Sequence, residues 1–98
     1  MMSTMKSAEC RGLTVKHAQE LMRKYYFRRD LSRGIYATFT WFIEEVGELA
    51  EAILNNNKSA IEEEIADVLA WLLSIANILG VDVEEAFRKK YLSPEPPL

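Results

Sequence analysis

Residues 41–71 have the sequence WFIEEVGELAEAILNNNKSAIEEEIADVLAW, in which two acidic, apolar segments flank the triplet Asn55–Asn57. In each segment the apolar residues recur at helical spacing, which predicts two amphipathic α-helices. Asn tolerates the left-handed backbone conformation found at helix ends, so the triplet is predicted to form the turn between them. We therefore expect an antiparallel helical pair at the centre of the fold.

Capping residues and helix breakers predict one further helix on each side of this pair. Thr14 is suited to cap the first helix, and residues 30–34 are predicted to connect it to the second. Ser59 and Asp82 each begin a capping box, and Gly80 lies between them as a helix stop. The fold class is therefore predicted as all-α, in a single domain of residues 1–98 with flexible ends at 1–13 and 92–98. The four predicted helices span residues 15–29, 36–54, 59–79 and 83–91.

The composition is that of a small soluble intracellular protein. The 98 residues are 49% hydrophobic and 28% charged, and a net charge of −3 gives no general attraction to nucleic acid or to an anionic membrane. The single cysteine, Cys10, excludes an internal disulfide and suits a reducing cytoplasm. The N-terminus has no apolar signal-peptide core, and the longest apolar run, about 15 residues, is shorter than the roughly 20 that span a bilayer. We expect a cytoplasmic protein.

The third helix is too apolar for one short chain to bury alone. On a helical wheel of about 100° per residue, apolar residues lie well outside its main stripe, namely Ala70, Trp71, Leu73 and Ile78. A helix that is apolar over most of its circumference is buried from several directions. We therefore expect a homodimer or a homotetramer, in which other copies complete the bundle.

Four carboxylates in the helical pair are spaced as a metal-binding set. Glu45 and Glu48 lie three residues apart in one helix, as do Glu64 and Asp67 in the other. With the turn centred on Asn56, Glu45 is level with Asp67. Glu48 is then level with Glu64, and both pairs flank the apolar stripe of their helix and edge one groove. Because four carboxylates held together repel each other unless cations neutralise them, and oxygen ligands suit Mg²⁺ or Mn²⁺, we expect a divalent metal site.

Other interpretations of these acids remain open. They are also compatible with solvated helix faces, or with an acidic patch by which a helical oligomerisation module binds a protein partner. Intrahelical salt bridges are a weaker alternative, because the second helix contains no Lys or Arg. A di-iron helical protein normally needs Glu-x-x-His ligand pairs, and the central pair of helices contains no histidine.

The sequence also resembles a known family. The segments EEVGELAE, at residues 44–51, and EIAD, at residues 64–67, resemble the EExxE…ExxD signature of MazG-type nucleotide pyrophosphohydrolases, an all-α family. The similarity extends over residues 35–90, and two linked motifs make it specific. It implies that the Mg²⁺ ligands are Glu45, Glu48, Glu64 and Asp67.

The resemblance implies a reaction as well. Water would attack the α-phosphorus of a nucleoside triphosphate, which yields a nucleoside monophosphate and pyrophosphate. Glu48 or Glu44 would accept the proton of that water, although the helical wheel turns Glu44 away from the groove. Hydrolysis of phosphoribosyl-ATP or dUTP on the same scaffold is the alternative within the superfamily.

The C-terminal part departs from the family pattern. Many members carry an Asn and an Arg shortly after the lysine that matches Lys90, and these residues help to hold phosphate. Here the chain continues with YLSPE, which has neither. Phosphate contacts from this end would therefore come from Lys89 or Lys90, or else from another part of the chain.

Two tryptophans and a group of basic residues are candidates for nucleotide binding. Trp41 precedes Glu45 by four residues and Trp71 follows Asp67 by four, so the two indoles are level and could stack on a base. Packing in the core or at a subunit interface is the simpler interpretation of both. Several cations could reach triphosphate oxygens, although a solvated helix face is the simpler interpretation for most of them: Arg23, Lys24, Arg28, Arg29 and Arg33.

Overall fold

The computed structural model describes residues 12–92 and 94, and this part of the chain contains four α-helices and no strand. The helices are α1 (Val15–Arg33), α2 (Ile35–Leu54), α3 (Lys58–Leu79) and α4 (Val83–Tyr91). The predicted all-α class and the central pairing of the second and third helices are confirmed, since α2 and α3 pack most extensively. The ends predicted to be flexible lie mostly outside the described residues, as does Cys10.

The turn between α2 and α3 is built from the predicted Asn triplet. Asn56 adopts the left-handed conformation, with φ of +51°. Asn57 is the N-cap of α3, and its side-chain oxygen accepts a hydrogen bond from the Ala60 backbone N–H at 3.1 Å. The helix begins close to the predicted residue 59, but the predicted capping box at Ser59 is wrong, because Asn57 is the residue that caps the helix.

Helix α1 continues to Arg33, so the predicted connection over residues 30–34 is wrong. Only Gly34 separates α1 from α2, and its φ of +89° lies in the region that favours glycine. Its N–H donates to the Asp30 carbonyl at 2.9 Å, and its carbonyl accepts from the Thr38 N–H at 3.1 Å. Helix α1 therefore includes Asp30, which is buried inside the fold.

A buried amide network fixes α1 against the end of α3. Gln19 donates from Nε2 to the Asn77 side-chain oxygen at 3.0 Å and to the Val81 carbonyl at 2.7 Å. Asn77 donates from Nδ2 to the Gln19 carbonyl at 3.2 Å, and the Val83 N–H donates to the Gln19 Oε1 at 2.9 Å. Because both side chains are buried, breaking one of these contacts would strand polar atoms away from water. The network therefore sets the position of α1 relative to α3.

The remaining helix ends agree with the sequence predictions. The Thr14 side chain accepts from the His17 N–H at 3.0 Å, and the Asp82 side chain accepts from the Glu85 N–H at 3.0 Å. Gly80 ends α3 in the left-handed conformation, with φ of +70°. These three capping predictions are confirmed.

The apolar stripes of α2 and α3 are largely exposed rather than buried in this chain. The buried apolar residues of the described part are Ala52, Leu73, Ile75 and Ala76. The exposed stripe comprises Phe39, Ile43, Val46 and Ile53 on α2 and Ile65, Leu69, Leu72 and Leu79 on α3. No single helix in the described residues is long and apolar enough to cross a bilayer. Taken together, α3 and α4 reach that length and composition, but the pair is bent by 98° at the break between them.

The more buried side of α2 is formed by a different set of residues. Thr38 and Ala52 are buried, and half-buried Glu45 lies midway between them at seven-residue spacing. Glu45 was predicted to flank the apolar stripe at the edge of a groove. In the structure Glu45 is half-buried, whereas the apolar stripe is largely exposed.

Candidate metal and nucleotide site

Three of the predicted carboxylates form one compact cluster between α2 and α3. Glu45, Glu48 and Glu64 each place a carboxylate oxygen within 4.8 Å of the others. Glu45 and Glu64 are half-buried and Glu48 is exposed, so the cluster opens to solvent on the Glu48 side. The helical hairpin thus concentrates negative charge at one place.

The local fold explains why these residues meet. Glu45 and Glu48 lie one turn apart on the same side of α2, and Glu64 lies in the second turn of α3, soon after the Asn57 cap. The short turn at Asn56 then brings the start of α3 alongside the end of α2. The three-residue spacing of Glu45 and Glu48 and the turn at Asn56 therefore bring the three carboxylates together.

The electrostatics of the cluster favour a bound proton or a cation. Burial is the largest cause that raises the pKa of Glu45 to about 7, followed by repulsion from Glu48, a hydrogen bond with Glu64 and repulsion from Asp67. Burial also raises the pKa of Glu64, with repulsion from Glu48 and Asp67 acting in the same direction. The folded chain therefore stores unfavourable negative charge that a cation would relieve.

The cluster fits a divalent metal ion. Glu45 and Glu64 each have an Oε2 atom that is buried without a hydrogen-bond partner among the described residues. Buried polar atoms are normally paired, so two such oxygens in one cluster are suited to bind a cation. Carboxylate oxygens are the donors that Mg²⁺ and Mn²⁺ prefer, and within the described residues no histidine or cysteine side chain belongs to the cluster. The donor set thus suits a hard cation.

Asp67 lies beside the cluster, in the wall of an adjacent cavity. This cavity, of about 420 Å³, lies between α1 and α3, and Glu45 reaches it from α2. Asp67 and Trp71 line it together with Glu45, so the structure places the predicted fourth acid and one predicted aromatic at the same cavity. Asp67 is outside the three-residue group, but it contributes to the raised pKa values of Glu45 and Glu64.

Four residues singled out in the sequence lie elsewhere. Glu44 is exposed and is not part of the carboxylate cluster. Trp41, at 47% exposure, does not line the cavity with Trp71. Lys89 and Lys90 are exposed on α4, which packs against α1, and neither lines the cavity.

Asp30 lies at this site but was not predicted from the sequence. Asp30 is 1% exposed and lines the cavity next to Arg29, which the sequence analysis named only as one of several basic residues. Its Oδ1 contacts Arg33 Nη1 at 3.4 Å and Arg29 Nη2 at 3.9 Å. The available signal was a lone acid within a basic segment, three residues before an arginine. A first helix that ends at residue 29 would leave Asp30 in a connection, whereas α1 in the structure extends to Arg33.

Comparison with known proteins points to a single family. The MazG nucleotide pyrophosphohydrolase domain matches residues 33–92, which include the three clustered carboxylates and Asp67. Over 53 residues the chain is also 42% identical to the dATP/dGTP diphosphohydrolase of Cyanophage S-2L. That alignment covers 54% of this chain and 47% of the phage protein, so the matched segment spans about half of each.

Proposed function

Because the chain belongs to the MazG nucleotide pyrophosphohydrolase family, we propose that it hydrolyses nucleoside triphosphates to nucleoside monophosphates and pyrophosphate. The observation that carries this proposal is the carboxylate cluster, in which two buried oxygens have no hydrogen-bond partner among the described residues and one member, Glu45, lines a cavity of about 420 Å³. That volume is within the range of ordinary small-molecule sites, roughly 300–1,000 Å³.

In this proposal Glu45, Glu48, Glu64 and Asp67 hold Mg²⁺ or Mn²⁺. A divalent cation bound there would lower the pKa of a water molecule and neutralise phosphate oxygens. Glu45 and Glu64 offer the two buried oxygens, while Asp67 faces the cavity in which the nucleotide would lie. The four carboxylates thus fix the position at which the triphosphate is cleaved.

We assign the proton acceptor to Glu48 rather than Glu44. Glu48 belongs to the cluster and is its exposed member, so water can reach its carboxylate. It has two oxygens, of which one can serve the cation site and the other can accept a proton from the attacking water. Glu44 is outside the cluster, and its substitution is the natural control.

Deoxynucleoside triphosphates are the first substrates to test. The phage relative is named a dATP/dGTP diphosphohydrolase, which supports purine deoxynucleotides as candidates for this chain. Trp71 borders the cavity and could stack on a base, with one of its faces already covered by the Arg33 guanidinium at 4.9 Å. A base would therefore stack on the opposite face.

The active unit is proposed to be a homodimer or homotetramer. The stripes on α2 and α3 leave eight large apolar side chains exposed along two adjacent helices. Contiguous apolar surface of this kind typically marks a protein interface. A second copy seated on both stripes would supply the burial that this chain lacks.

Pyrophosphate release from a panel of dNTPs and NTPs, with and without Mg²⁺ or Mn²⁺, tests the activity. We expect pyrophosphate and the monophosphate as products, and activity only with the metal. Glu64→Gln should reduce turnover to background, whereas Glu63→Gln, its exposed neighbour on α3, should retain it. Equal turnover in both variants would place the reaction elsewhere, and release of single phosphates would contradict the proposed bond.

The same assay separates the two candidate proton acceptors. Glu48→Gln should abolish turnover, and Glu44→Gln should leave most of it. The opposite result would transfer the role to Glu44.

A further inference from the structure

The cavity beside the acidic cluster is bordered by an arginine as well as by carboxylates. Arg29 and Asp30 line the cavity from α1, opposite Glu45 and Asp67. Within the described residues, neither Arg29 nor Arg33 forms an ion pair with Glu45 or Asp67. Arg29 thus borders the same space as Glu45 and Asp67 without pairing with either. A ligand that carries both a cation and an anion, such as a metal–polyphosphate complex, matches that arrangement.

Asp30 contacts the arginines on the α1 side of the cavity. It is 1% exposed, its Oδ1 contacts both arginines, and its Oδ2 is buried with no hydrogen-bond partner among the described residues. A buried carboxylate left unpaired is costly, so Asp30 holds guanidinium groups close by. Two arginines thus share one carboxylate, and of the two only Arg29 lines the cavity.

The two arginines differ in how strongly they are engaged. Arg33 is 21% exposed, contacts Asp30 at 3.4 Å and lies over the Trp71 ring at 4.9 Å. Arg29 is 56% exposed, contacts Asp30 only at 3.9 Å and lies over the Tyr26 ring at 4.4 Å. No hydrogen bond within the described part of the chain uses the Arg29 guanidinium. Its donors are therefore available to a ligand, whereas Arg33 is already held in place.

A second copy on the apolar stripes would leave the cavity open. The residues of α3 that line the cavity are Ala66, Asp67, Ala70, Trp71 and Ser74. At about 100° per residue, the centre of that side lies roughly 165° around the helix from Ile65, Leu69 and Leu72. The proposed interface and the cavity thus use different sides of α3.

We propose that Arg29 contacts the polyphosphate of the nucleotide and that Asp30 is the positioning residue that holds it there. This inference rests on the proposed function. It assigns to α1 the phosphate contact that the C-terminal segment lacks, since Lys89 and Lys90 do not line the cavity. Arginine suits the role because its planar guanidinium can donate two parallel hydrogen bonds to phosphate oxygens.

The contact is tested without turnover by the equilibrium binding of an α,β-methylene dNTP. In this analogue carbon replaces the oxygen that bridges the α- and β-phosphates, so the bond that the enzyme would cleave is absent. In the presence of Mn²⁺, Arg29→Met should weaken binding about ten- to hundredfold, the usual loss for a hydrogen bond to a charged group. Arg29→Lys should lose less, because it retains the charge. The matched control is Arg28→Met on the same helix, which is exposed and does not line the cavity; it should bind as the wild type does.

Mn²⁺ binding without nucleotide provides a readout that is separate from catalysis. Arg29→Met and Asp30→Asn should bind Mn²⁺ as tightly as wild type, while Asp30→Asn should weaken analogue binding at a temperature where it is fully folded. Unchanged analogue affinity in Arg29→Met, or an equal loss in Arg28→Met, would overturn the inference. If the wild type binds the analogue but cleaves no dNTP, the proposed function fails while the contact stands.

Discussion

Glu45 and Glu64 face each other across the α2–α3 hairpin, and each buries a carboxylate oxygen that has no hydrogen-bond partner among the described residues. Helical hairpins normally fill such a position with apolar side chains that stabilise the pair. Here the hairpin instead holds two acids whose pKa values are both raised. This costs stability in the free chain and is consistent with a site built for a cation.

The first prediction concerns the stability of the metal-free protein. Carboxyls whose pKa is raised on folding hold a proton more tightly in the folded state, so they stabilise it fully below their ordinary pKa of 4.5. That contribution is lost as the pH rises through about 7, the pKa of Glu45. We expect the Tm of the metal-free protein to fall from pH 5 to pH 8, and Mn²⁺ to raise it more at pH 8.

Glu45→Gln should flatten this pH dependence and remove the effect of Mn²⁺. Glu63→Gln, an exposed acid of α3 outside the cluster, should retain both. An equal Mn²⁺ stabilisation of the wild type at pH 5 and pH 8 would contradict the coupling between proton and metal.

The second prediction tests where α3 begins. Asn57→Ala removes the side-chain acceptor that caps the Ala60 N–H and should lower the free energy of unfolding by about 1 kcal/mol. Ser59→Ala, two residues on and inside the helix, should change it much less. Urea unfolding of both variants checks the assignment, and a larger loss from Ser59→Ala would restore the capping box that the sequence suggested.

The third prediction concerns the tryptophans. Trp71→Ala should raise the KM for the preferred dNTP about five- to hundredfold, which corresponds to the roughly 1–3 kcal/mol of a base stacked on an aromatic ring. Trp41→Ala should have a smaller effect, because Trp41 does not line the cavity. If KM is unchanged in both variants, base stacking on either indole is excluded.

The fourth prediction concerns assembly. Light scattering coupled to size-exclusion chromatography should show that the wild-type protein has the mass of two or four chains. Leu69→Glu places a charge in the exposed stripe and should dissociate the assembly. Leu31→Glu makes the same change at an exposed leucine of α1 and should leave the mass unaltered. A monomeric wild type at micromolar concentration would contradict the proposed oligomer.

Much of the fold and of the acidic cluster was predictable because it depends on local rules. Acids three residues apart, an Asn turn and capping residues are short-range signals, and they located four helices and the cluster of Glu45, Glu48 and Glu64. The inward position of Asp30 depends on tertiary burial and on a helix four residues longer than its periodicity indicated. The outward orientation of the apolar stripes was equally hidden, because a helical wheel does not reveal whether a stripe packs within its own chain or against another.

The most direct test of the central claim is hydrolysis of the preferred dNTP in ¹⁸O-labelled water with Mg²⁺, followed by mass spectrometry of both products. Attack of water at the α-phosphorus should place the label in the deoxynucleoside monophosphate and leave the pyrophosphate unlabelled. Label in the pyrophosphate, release of inorganic phosphate, or no turnover of any nucleotide would contradict it.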